Sequence, residues 1–312
     1  MTEFKNKRIL ITGGHGFLGK HLSPLFKESV LILPTRKDCD FRRQEMVEWY
    51  IGREKPDIIL NLAARVGGIG YNRDNPATLF YDNAIMGINL IQAAYENKVE
   101  KFVQVGTICA YPKITPIPFK EEDLWNGYPE DTNAPYGLAK KMLLVMAQAY
   151  RKQYGMNIIY LLPVNLYGEG DNFNEESSHV IPAMIRKFVE AKELEKNFVV
   201  IWGTGTPTRE FLYVRDAAEG ILLATQNYES GEPVNLGSGM EISIKDLAYK
   251  IADIVGFKGK IVFDKTKPDG QPRRSLDVSR ALQFGFKAKT PFDVGLKRTI
   301  EWFQKSQLSS QV

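Results

Sequence analysis

Short apolar runs alternate with longer segments of helical periodicity through the first half of the chain. The apolar runs lie at 8–12 (RILIT), 30–33 (VLIL), 57–63, 101–107 and 157–162, and each predicts a buried strand. Helical periodicity follows the first run to about residue 28 and returns over 76–98 and near 134–154. Strands that alternate with crossover helices in this way predict a parallel sheet covered by helices.

The pattern loosens after about residue 165. Helical patterns at 178–192, 215–227, 243–256 and 291–306 alternate with short strands such as FVVIW and KIVFD, and Gly/Pro-containing segments separate them. We therefore predict an α/β protein. A Rossmann-type, doubly wound parallel sheet occupies residues 1–165, with some later segments returning to it, and a smaller C-terminal α/β region over 166–312 binds the substrate.

Composition and charge exclude several classes of protein. The 312 residues are 44% hydrophobic and 25% charged, which is typical of a globular protein. A net charge of +4 is too small to indicate a nucleic-acid partner. Cys39 and Cys109 form neither a disulfide framework nor a metal-binding pattern, so we expect no metal and a reducing compartment. The N-terminal apolar run is too short for a signal peptide or membrane span, so we expect a cytoplasmic protein that does not bind membranes.

A glycine-rich turn follows the first strand and opens a predicted helix. Gly13, Gly16 and Gly19 have the GxxGxxG spacing, and Phe17 and Leu18 lie between the last two. Positions without a Cβ let the backbone turn tightly and approach a pyrophosphate, whose charge the helix N-terminus favours. The sequence therefore predicts a dinucleotide-binding site here.

The residues after the second strand favour NADP(H), with NAD(H) as the alternative. An NAD site usually carries an acidic residue there, whereas Pro34-Thr35-Arg36-Lys37 has no carboxylate before Asp38. Arg36 is the natural partner for a 2′-phosphate; the alternative is a solvated loop residue. Asp40 is predicted near the adenine, and the small Ala63 and Ala64 leave room for the cofactor after the third strand.

Tyr136 and Lys140 are four residues apart on a predicted helix and share one face. We expect the lysine ammonium, with a positively charged nicotinamide nearby, to lower the pKa of the tyrosine. The tyrosine then exchanges a proton with a sugar oxygen while hydride moves to or from the nicotinamide. Thr107 is expected to bond the same oxygen. If the strand end is extended, Cys109 faces the same side as Thr107 and could also face the substrate. From spacing alone, however, the sequence favours a Cys109 that is simply a small, buried hydrophobic residue.

Over nearly its whole length, the chain resembles the GDP-L-fucose synthase family in many short sequence motifs. The members of that family are GDP-4-keto-6-deoxymannose 3,5-epimerase/4-reductases, and they belong to the extended short-chain dehydrogenase/reductases. The strings are Asn61–Ile69 (NLAARVGGI), CAYPK from Cys109, YGLAK from Tyr136, NLYG from Asn165, DNF from Asp171, SHVIP from Ser178, WGTGTP from Trp202, REFL from Arg209 and KPDG from Lys267.

The resemblance implies roles for individual residues. Cys109 and His179 would move protons at the two carbons that flank a C4 ketone. Tyr136 and Thr107 would stabilise the enolate, and Tyr136 would donate a proton as NADPH reduces C4. The implied substrate-binding residues are Asn165, Val180, Arg186, Lys187, Trp202, Arg209 and Asp269. Pro163, Asn165, Lys140 and His179 would also border the cofactor. For Trp202, packing in the core is an equal alternative to stacking on guanine.

The resemblance also implies a homodimer built on the helices at 76–98 and 134–154. The chain departs from the family pattern at Thr107-Ile108, where a Ser-Ser pair is usual, and at His15, where an arginine often holds the 2′-phosphate. The loop before His179 differs too, so the identity of the sugar stays open. Other hypotheses are a redox-neutral epimerase on GDP-mannose, a C4 reductase on another GDP-sugar such as a heptose, and a cofactor-sensing regulator. The presence of Tyr136 and Lys140 disfavours the regulator.

Overall fold

The computed structural model describes residues 4–267 and 269–309, without the side chains of Ile69 and Ser309; Pro268 of the KPDG string lies outside the described residues. Six parallel strands form the central sheet: β1 (Arg8–Thr12), β2 (Val30–Ile32), β3 (Ile58–Asn61), β4 (Lys101–Val105), β5 (Ile158–Pro163) and β9 (Val234–Leu236). Their order is β2-β1-β3-β4-β5-β9. The strand order reverses between β1 and β3, and the carboxyl ends of strands at such a reversal form a ligand-binding crevice. This doubly wound α/β sheet confirms the predicted fold class.

Helices cover the sheet in two groups. One group contains α2 (Gln44–Glu54), α4 (Pro76–Glu96) and α5 (Ala134–Tyr154), with the short α3 (Ile69–Asp74) beside α4. The other contains α1 (Phe17–Leu22) and α7 (Val214–Asn227), which pack against each other. The chain runs from β1 to β2 in one direction along the sheet and from β3 to β4 in the other, so right-handed crossovers place α1 and α4 on opposite faces.

The remaining elements form a second hydrophobic core. Helices α6 (Val180–Glu193), α8 (Ile244–Val255) and α10 (Phe292–Ser309) pack around the parallel pair β7 (Phe198–Trp202) and β11 (Lys260–Asp264). Between the two cores lies a small sheet in which β8 (Thr208–Tyr213) pairs with β6 (Asn165–Tyr167), β10 (Glu241–Ser243) and β12 (Arg273–Arg274). A one-turn α9 (Ser279–Leu282) follows. Both α7 and β9, from the second half of the chain, belong with the central sheet.

One local prediction is wrong, and one helix was not predicted. The first helix ends at Leu22, not near residue 28, and continues only as a 3-10 turn over Ser23–Leu25. Pro24 explains this, because it has no N–H to donate to the preceding turn. The helix α2 was not predicted, since only Val47, Tyr50 and Ile51 of its eleven residues are buried. Within the described residues, no helix combines the length and apolar character needed to span a membrane.

Candidate active site

The glycine turn after β1 is packed too closely for side chains at two of its positions. Gly13 has a φ of +69°, which favours glycine. A Cβ at Gly19 would lie 2.3 Å from the carbonyl oxygen of Gly13, and one at Gly14 would lie 2.8 Å from Leu33. Gly16 is the N-cap of α1, and a Cβ there would meet only the Gly13 oxygen, at 3.1 Å. The turn therefore presents bare backbone above the strand ends, which is what close approach of a pyrophosphate requires.

A row of buried amide and hydroxyl groups supports this turn from below. The Thr12 hydroxyl donates to Asn61 Oδ1 at 2.7 Å, and Asn61 Nδ2 donates to Gln104 Oε1 at 2.9 Å. The Ala63 N–H donates to Thr12 Oγ1 at 3.0 Å. These bonds join β1, β3 and β4 side by side, and they fix the position of Ala63 at the mouth of the crevice.

The loop after β2 concentrates positive charge. The Arg36 side chain is 72% exposed, and its Nε lies 3.4 Å from Asp40. Both Asp40 oxygens accept from Arg42, at 2.9 and 2.6 Å, and these bonds hold the pKa of Asp40 well below its usual range. The backbone N–H and hydroxyl of Thr35 donate to Asp38. The loop thus offers an exposed guanidinium beside carboxylates that already have partners, and the contact of Asp40 with adenine stays a prediction.

The other residues predicted near the cofactor line the same edge of the sheet. His15, which replaces the family's arginine, donates from Nε2 to the Leu33 carbonyl at 2.9 Å and joins the glycine turn to the end of β2. Phe17 and Leu18 are half-buried in α1, Ala64 is exposed after β3, Pro163 is buried at the end of β5, and Asn165 is half-buried in β6.

Tyr136 and Lys140 are both buried on α5. The Thr107 side chain lies close enough to the Tyr136 phenol to lower its pKa, yet burial outweighs this effect and raises the pKa well above the ordinary value. Lys140 Nζ donates to the carbonyls of Ala63 (3.3 Å) and Val105 (3.2 Å), and burial lowers its pKa to about 8. Burial therefore sets the pKa of Tyr136 in this structure, and the lowering expected from Lys140 together with a bound nicotinamide stays a prediction.

Cys109 sits in a 3-10 turn, Ile108–Ala110, and not on an extended strand end as predicted. The turn forms because Thr107 Oγ1 accepts the N–H of Cys109 at 3.2 Å and caps it. Gly137 allows the turn to pack on α5: a Cβ there would lie 2.2 Å from the Cys109 carbonyl oxygen. The thiol is only half-buried, with Sγ 3.9 Å from Arg274 Nη1. Cys109 is therefore not the fully buried small side chain that spacing alone favoured.

His179 is the residue just before α6. Its side chain is accessible to solvent, while surrounding protein lowers the pKa of the imidazole, a combination expected of a ring inside an open cleft. Its loop is tied to the loop after β3, because the Gly68 N–H donates to Ser177 O at 3.0 Å. Among the described residues the ring has no hydrogen-bond partner, and nothing joins it directly to Tyr136 or Cys109.

The residues predicted to bind the nucleotide gather on α6 and the ends of β7 and β8. Trp202 is 61% exposed, so the core-packing alternative is wrong. Lys187 and Lys267 place their ammonium groups 5.8 and 5.5 Å from its ring centroid. Val180 and Arg186 lie on α6, half-buried. An exposed indole flanked by two ammonium groups suits a nucleobase that carries phosphates.

Three further predicted residues have protein partners in this structure. Burial, together with the nearby Arg274, lowers the pKa of Arg209 to about 10. Both carboxylate oxygens of Asp269 accept from Thr204, from its N–H and its hydroxyl, each at 2.7 Å. The Asn165 amide donates to the Glu210 carbonyl at 3.1 Å. Their roles in substrate binding stay predictions.

The structure brings Thr107, Cys109 and Tyr136 together, with Lys140 one turn along α5. It adds Arg274, which sequence reasoning missed; the only hint in the sequence was the Arg273-Arg274 pair that follows the KPDG string. No group of three or more possible metal ligands occurs in the part of the chain that the structure describes.

Comparison with known proteins relates the chain to sugar-nucleotide enzymes. Residues 9–237 match the model of the NAD dependent epimerase/dehydratase family. A GDP-L-fucose synthase from Sinorhizobium fredii is 43% identical over 299 residues, 95% of each chain. A GDP-L-fucose synthetase from Naegleria fowleri bound to NADP superposes with a TM-score of 0.90 at 30% identity, covering 99% of this chain and 97% of that one. A GDP-mannoheptose C4 reductase from Campylobacter jejuni with NADP bound has a TM-score of 0.88 at 32% identity, covering 96% and 98%.

Proposed function

This chain belongs to the GDP-L-fucose synthase family of NAD-dependent epimerases and dehydratases, and from that premise we propose that it is an NADPH-dependent epimerase/reductase. Its substrate is a GDP-4-keto-6-deoxy sugar, which it converts to GDP-L-fucose or a close relative. The observation that carries the proposal is the convergence of a phenol, a hydroxyl and a thiol. Thr107 and Cys109 both lie close enough to Tyr136 to affect the pKa of its phenol.

The two stages use these groups differently. In the epimerase stage, the Cys109 thiolate takes a proton from a carbon next to the ketone, and the C–H electron pair moves into an enolate. Tyr136 and Thr107 donate hydrogen bonds to the enolate oxygen. His179, protonated from solvent against its lowered pKa, returns a proton to the opposite face, which leaves a thiol and a neutral imidazole. Solvent exchange at the accessible ring and the half-buried thiol restores both.

In the reductase stage, Tyr136 donates a proton to the C4 oxygen. A phenol whose pKa is raised is neutral at physiological pH, which is the protonation state that donation requires. A redox-neutral epimerase would instead begin by removing a proton from a C4 hydroxyl and would need no net supply of NADPH.

The residues present fit NADP(H). The glycine turn leaves room for the pyrophosphate, and the exposed Arg36 beside Asp40 and Arg42 suits a 2′-phosphate. Lys140, Ala63, Pro163 and His179 would border the remainder. When bound, NADPH supplies the hydride for C4.

A C4 reductase on a GDP-heptose is the second candidate, because a solved enzyme of that kind superposes over 96% of the chain. Mass spectrometry of products from a panel of GDP-sugars, with and without NADPH, decides between them. GDP-4-keto-6-deoxymannose with NADPH in heavy water is expected to give GDP-L-fucose with deuterium at C3 and C5. A reduced product without deuterium would show a pure C4 reductase, and GDP-hexose isomers formed from GDP-mannose without NADPH would show a redox-neutral epimerase.

A homodimer in the cytoplasm completes the proposal. The helices α4 and α5 leave apolar residues unburied at i, i+4, i+7 spacing, which places three residues on one face of each helix: Tyr81, Ile85 and Ile88, and Leu138, Met142 and Val145. The two helices pack side by side, so a second copy that presents the same surface would close a four-helix interface.

A further inference from the structure

Arg274 reaches the sulfur of Cys109 from a distant part of the chain. It ends the short strand β12, which pairs with Arg209 of β8 in parallel register. Its Nη1 lies 3.9 Å from Cys109 Sγ. At this distance a guanidinium stabilises a thiolate far more than a thiol.

A neighbouring glutamine fixes the direction of this guanidinium. Arg274 Nε donates to Gln271 Oε1, and Gln271 Nε2 donates in turn to the Lys113 carbonyl at 2.7 Å. Gln271 is only 7% exposed. The arginine is therefore held through its Nε, and its terminal nitrogens extend toward the thiol.

The backbone just after Arg274 is also bonded to Phe119, which lies in the segment that follows Cys109. Phe119 N–H donates to Ser275 O at 2.8 Å, and Asp277 N–H donates to Phe119 O at 2.9 Å. In addition, the fully buried Glu210 accepts the N–H of Leu276 at 2.7 Å. These bonds hold the backbone next to Arg274 in place, so the guanidinium is carried by a fixed segment.

The charge of Arg274 has no carboxylate partner within the described residues. Arg273, the residue before it, forms an ion pair with Glu241 at 2.7 Å and is exposed. Arg274 lies instead beside a second guanidinium, because it is one of the causes that lower the pKa of Arg209. Two adjacent cations favour an anion beside them, and the Cys109 sulfur is within hydrogen-bonding distance of Arg274.

We propose that Arg274 is a positioning residue that holds Cys109 as an oriented thiolate, ready to remove a proton from the carbon next to the ketone. The proposal rests on the epimerase stage of the proposed function. In that step the S–H bond forms as the C–H bond breaks, and the negative charge moves from sulfur to the enolate oxygen. Arg274 stabilises the negative charge on the Cys109 sulfur and orients it, while Tyr136 and Thr107 stabilise the negative charge on the enolate oxygen.

The test is alkylation of the free enzyme by iodoacetamide, a neutral probe, followed by peptide mass spectrometry. Cys39 is 1% exposed, so the reaction reports on Cys109. At pH 7, Arg274→Gln is expected to react about tenfold more slowly than the wild type, with Arg274→Lys in between. At about pH 10, where the thiol ionises without help, the rates should converge. Arg273→Gln is the matched control and should match the wild type at both pH values.

Equal rates for Arg274→Gln and the wild type at pH 7 would overturn the proposal. So would an equal slowing at both pH values, because it would show lost access and not a lost charge. Arg274→Met carries the same test if Arg274→Gln does not fold. Deuterium incorporation into the keto-sugar should fall by the same factor as alkylation. If the wild type incorporates none, the epimerase proposal fails, while alkylation still decides the role of Arg274.

Discussion

At the scale of single residues, burial sets the protonation states of the candidate site more than pairing does. Tyr136 and Lys140 both lie inside the protein, and desolvation is the largest cause of each pKa shift: upward for the phenol, downward for the ammonium. Each shift favours the neutral form. The lysine meets two backbone carbonyls and not the tyrosine, a partner choice that the four-residue spacing does not reveal.

Replacing Tyr136 by Phe should remove the proton donor of the reductase stage. We expect the rate of NADPH oxidation with the keto-sugar to fall by about 10²- to 10⁴-fold. Deuterium exchange next to the ketone should persist at a reduced rate, since Thr107 still bonds the enolate oxygen. Tyr128→Phe, at a 62% exposed tyrosine, serves as the control. A loss in Tyr136→Phe of less than tenfold would exclude Tyr136 as the donor.

The lowered pKa of Lys140 predicts opposite effects of pH on activity and stability. As pH rises through about 8, the ammonium loses its proton, and hydride transfer should slow because the positive charge beside the cofactor site disappears. Between about 8 and the ordinary value of 10.5, the unfolded chain holds this proton more tightly than the folded one, so the contribution of Lys140 to the free energy of unfolding rises with pH.

Single-turnover rates of NADPH oxidation from pH 6 to about 9.5, with circular dichroism at each pH, check this prediction. The rate should decline above about pH 8 while the spectrum stays native. A rate that does not change across this range would show that the ammonium is not needed for hydride transfer.

At the scale of elements, helices and strands with a strong apolar pattern were predicted almost to the residue. The helix α5 was expected near 134–154 and spans Ala134–Tyr154, and the strands β7 and β11 coincide with FVVIW and KIVFD. The predicted element boundaries were wrong where a local interaction overrides the hydrophobic pattern. A hydroxyl cap turns Ile108–Ala110 away from the strand, and Pro24 ends α1. The Arg274 contact could not be predicted, because it joins residues 165 positions apart.

Gly87 of α4 shows how closely the two long helices pack. A Cβ at Gly87 would lie 2.2 Å from Leu143 Cδ1 of α5, and Leu143 is fully buried. Gly87→Ala should therefore lower the free energy of unfolding by about 1–3 kcal/mol. Gly52 of α2 is the matched control, since a Cβ there would meet only Asn97 Oδ1, at 3.5 Å.

Gly52→Ala should raise the free energy of unfolding by about 0.5–1 kcal/mol, because alanine loses less conformational entropy in a helix. Urea unfolding of both variants at the same protein concentration gives the comparison. If Gly87→Ala is as stable as Gly52→Ala, the close approach of α4 and α5 is not as tight as described.

At the scale of the whole molecule, the candidate site lies where the two hydrophobic cores meet. The central sheet provides Tyr136, Lys140 and Cys109, and the smaller region provides His179, Trp202 and Arg274. Glu210 of β8 helps to join the regions: its carboxylate accepts from the N–H groups of Ser238, Gly239 and Leu276. Family resemblance predicted roles for these residues, and long-range bonds such as those of Glu210 hold together the segments that carry them.

The outer faces of α4 and α5 give the last prediction, which concerns assembly. Tyr81 is 62% and Val145 50% exposed, so replacing both by Glu should leave the protomer folded. In a four-helix interface the same two changes would place four carboxylates in an apolar contact, because each substitution occurs once in each copy. Light scattering during size exclusion should give the wild type twice the chain mass of 35.4 kDa, and the double variant the mass of one chain.

Val294→Glu, at a 41% exposed valine on α10, tests for a general effect of added charge and should remain dimeric. A wild type that elutes as a monomer, or a double variant that stays dimeric, would contradict an interface on α4 and α5. Because α5 also carries Tyr136 and Lys140, the interface and the candidate site share one helix. A monomeric double variant should therefore also turn over more slowly, through looser positioning of the phenol and not through any change in the residues that surround it.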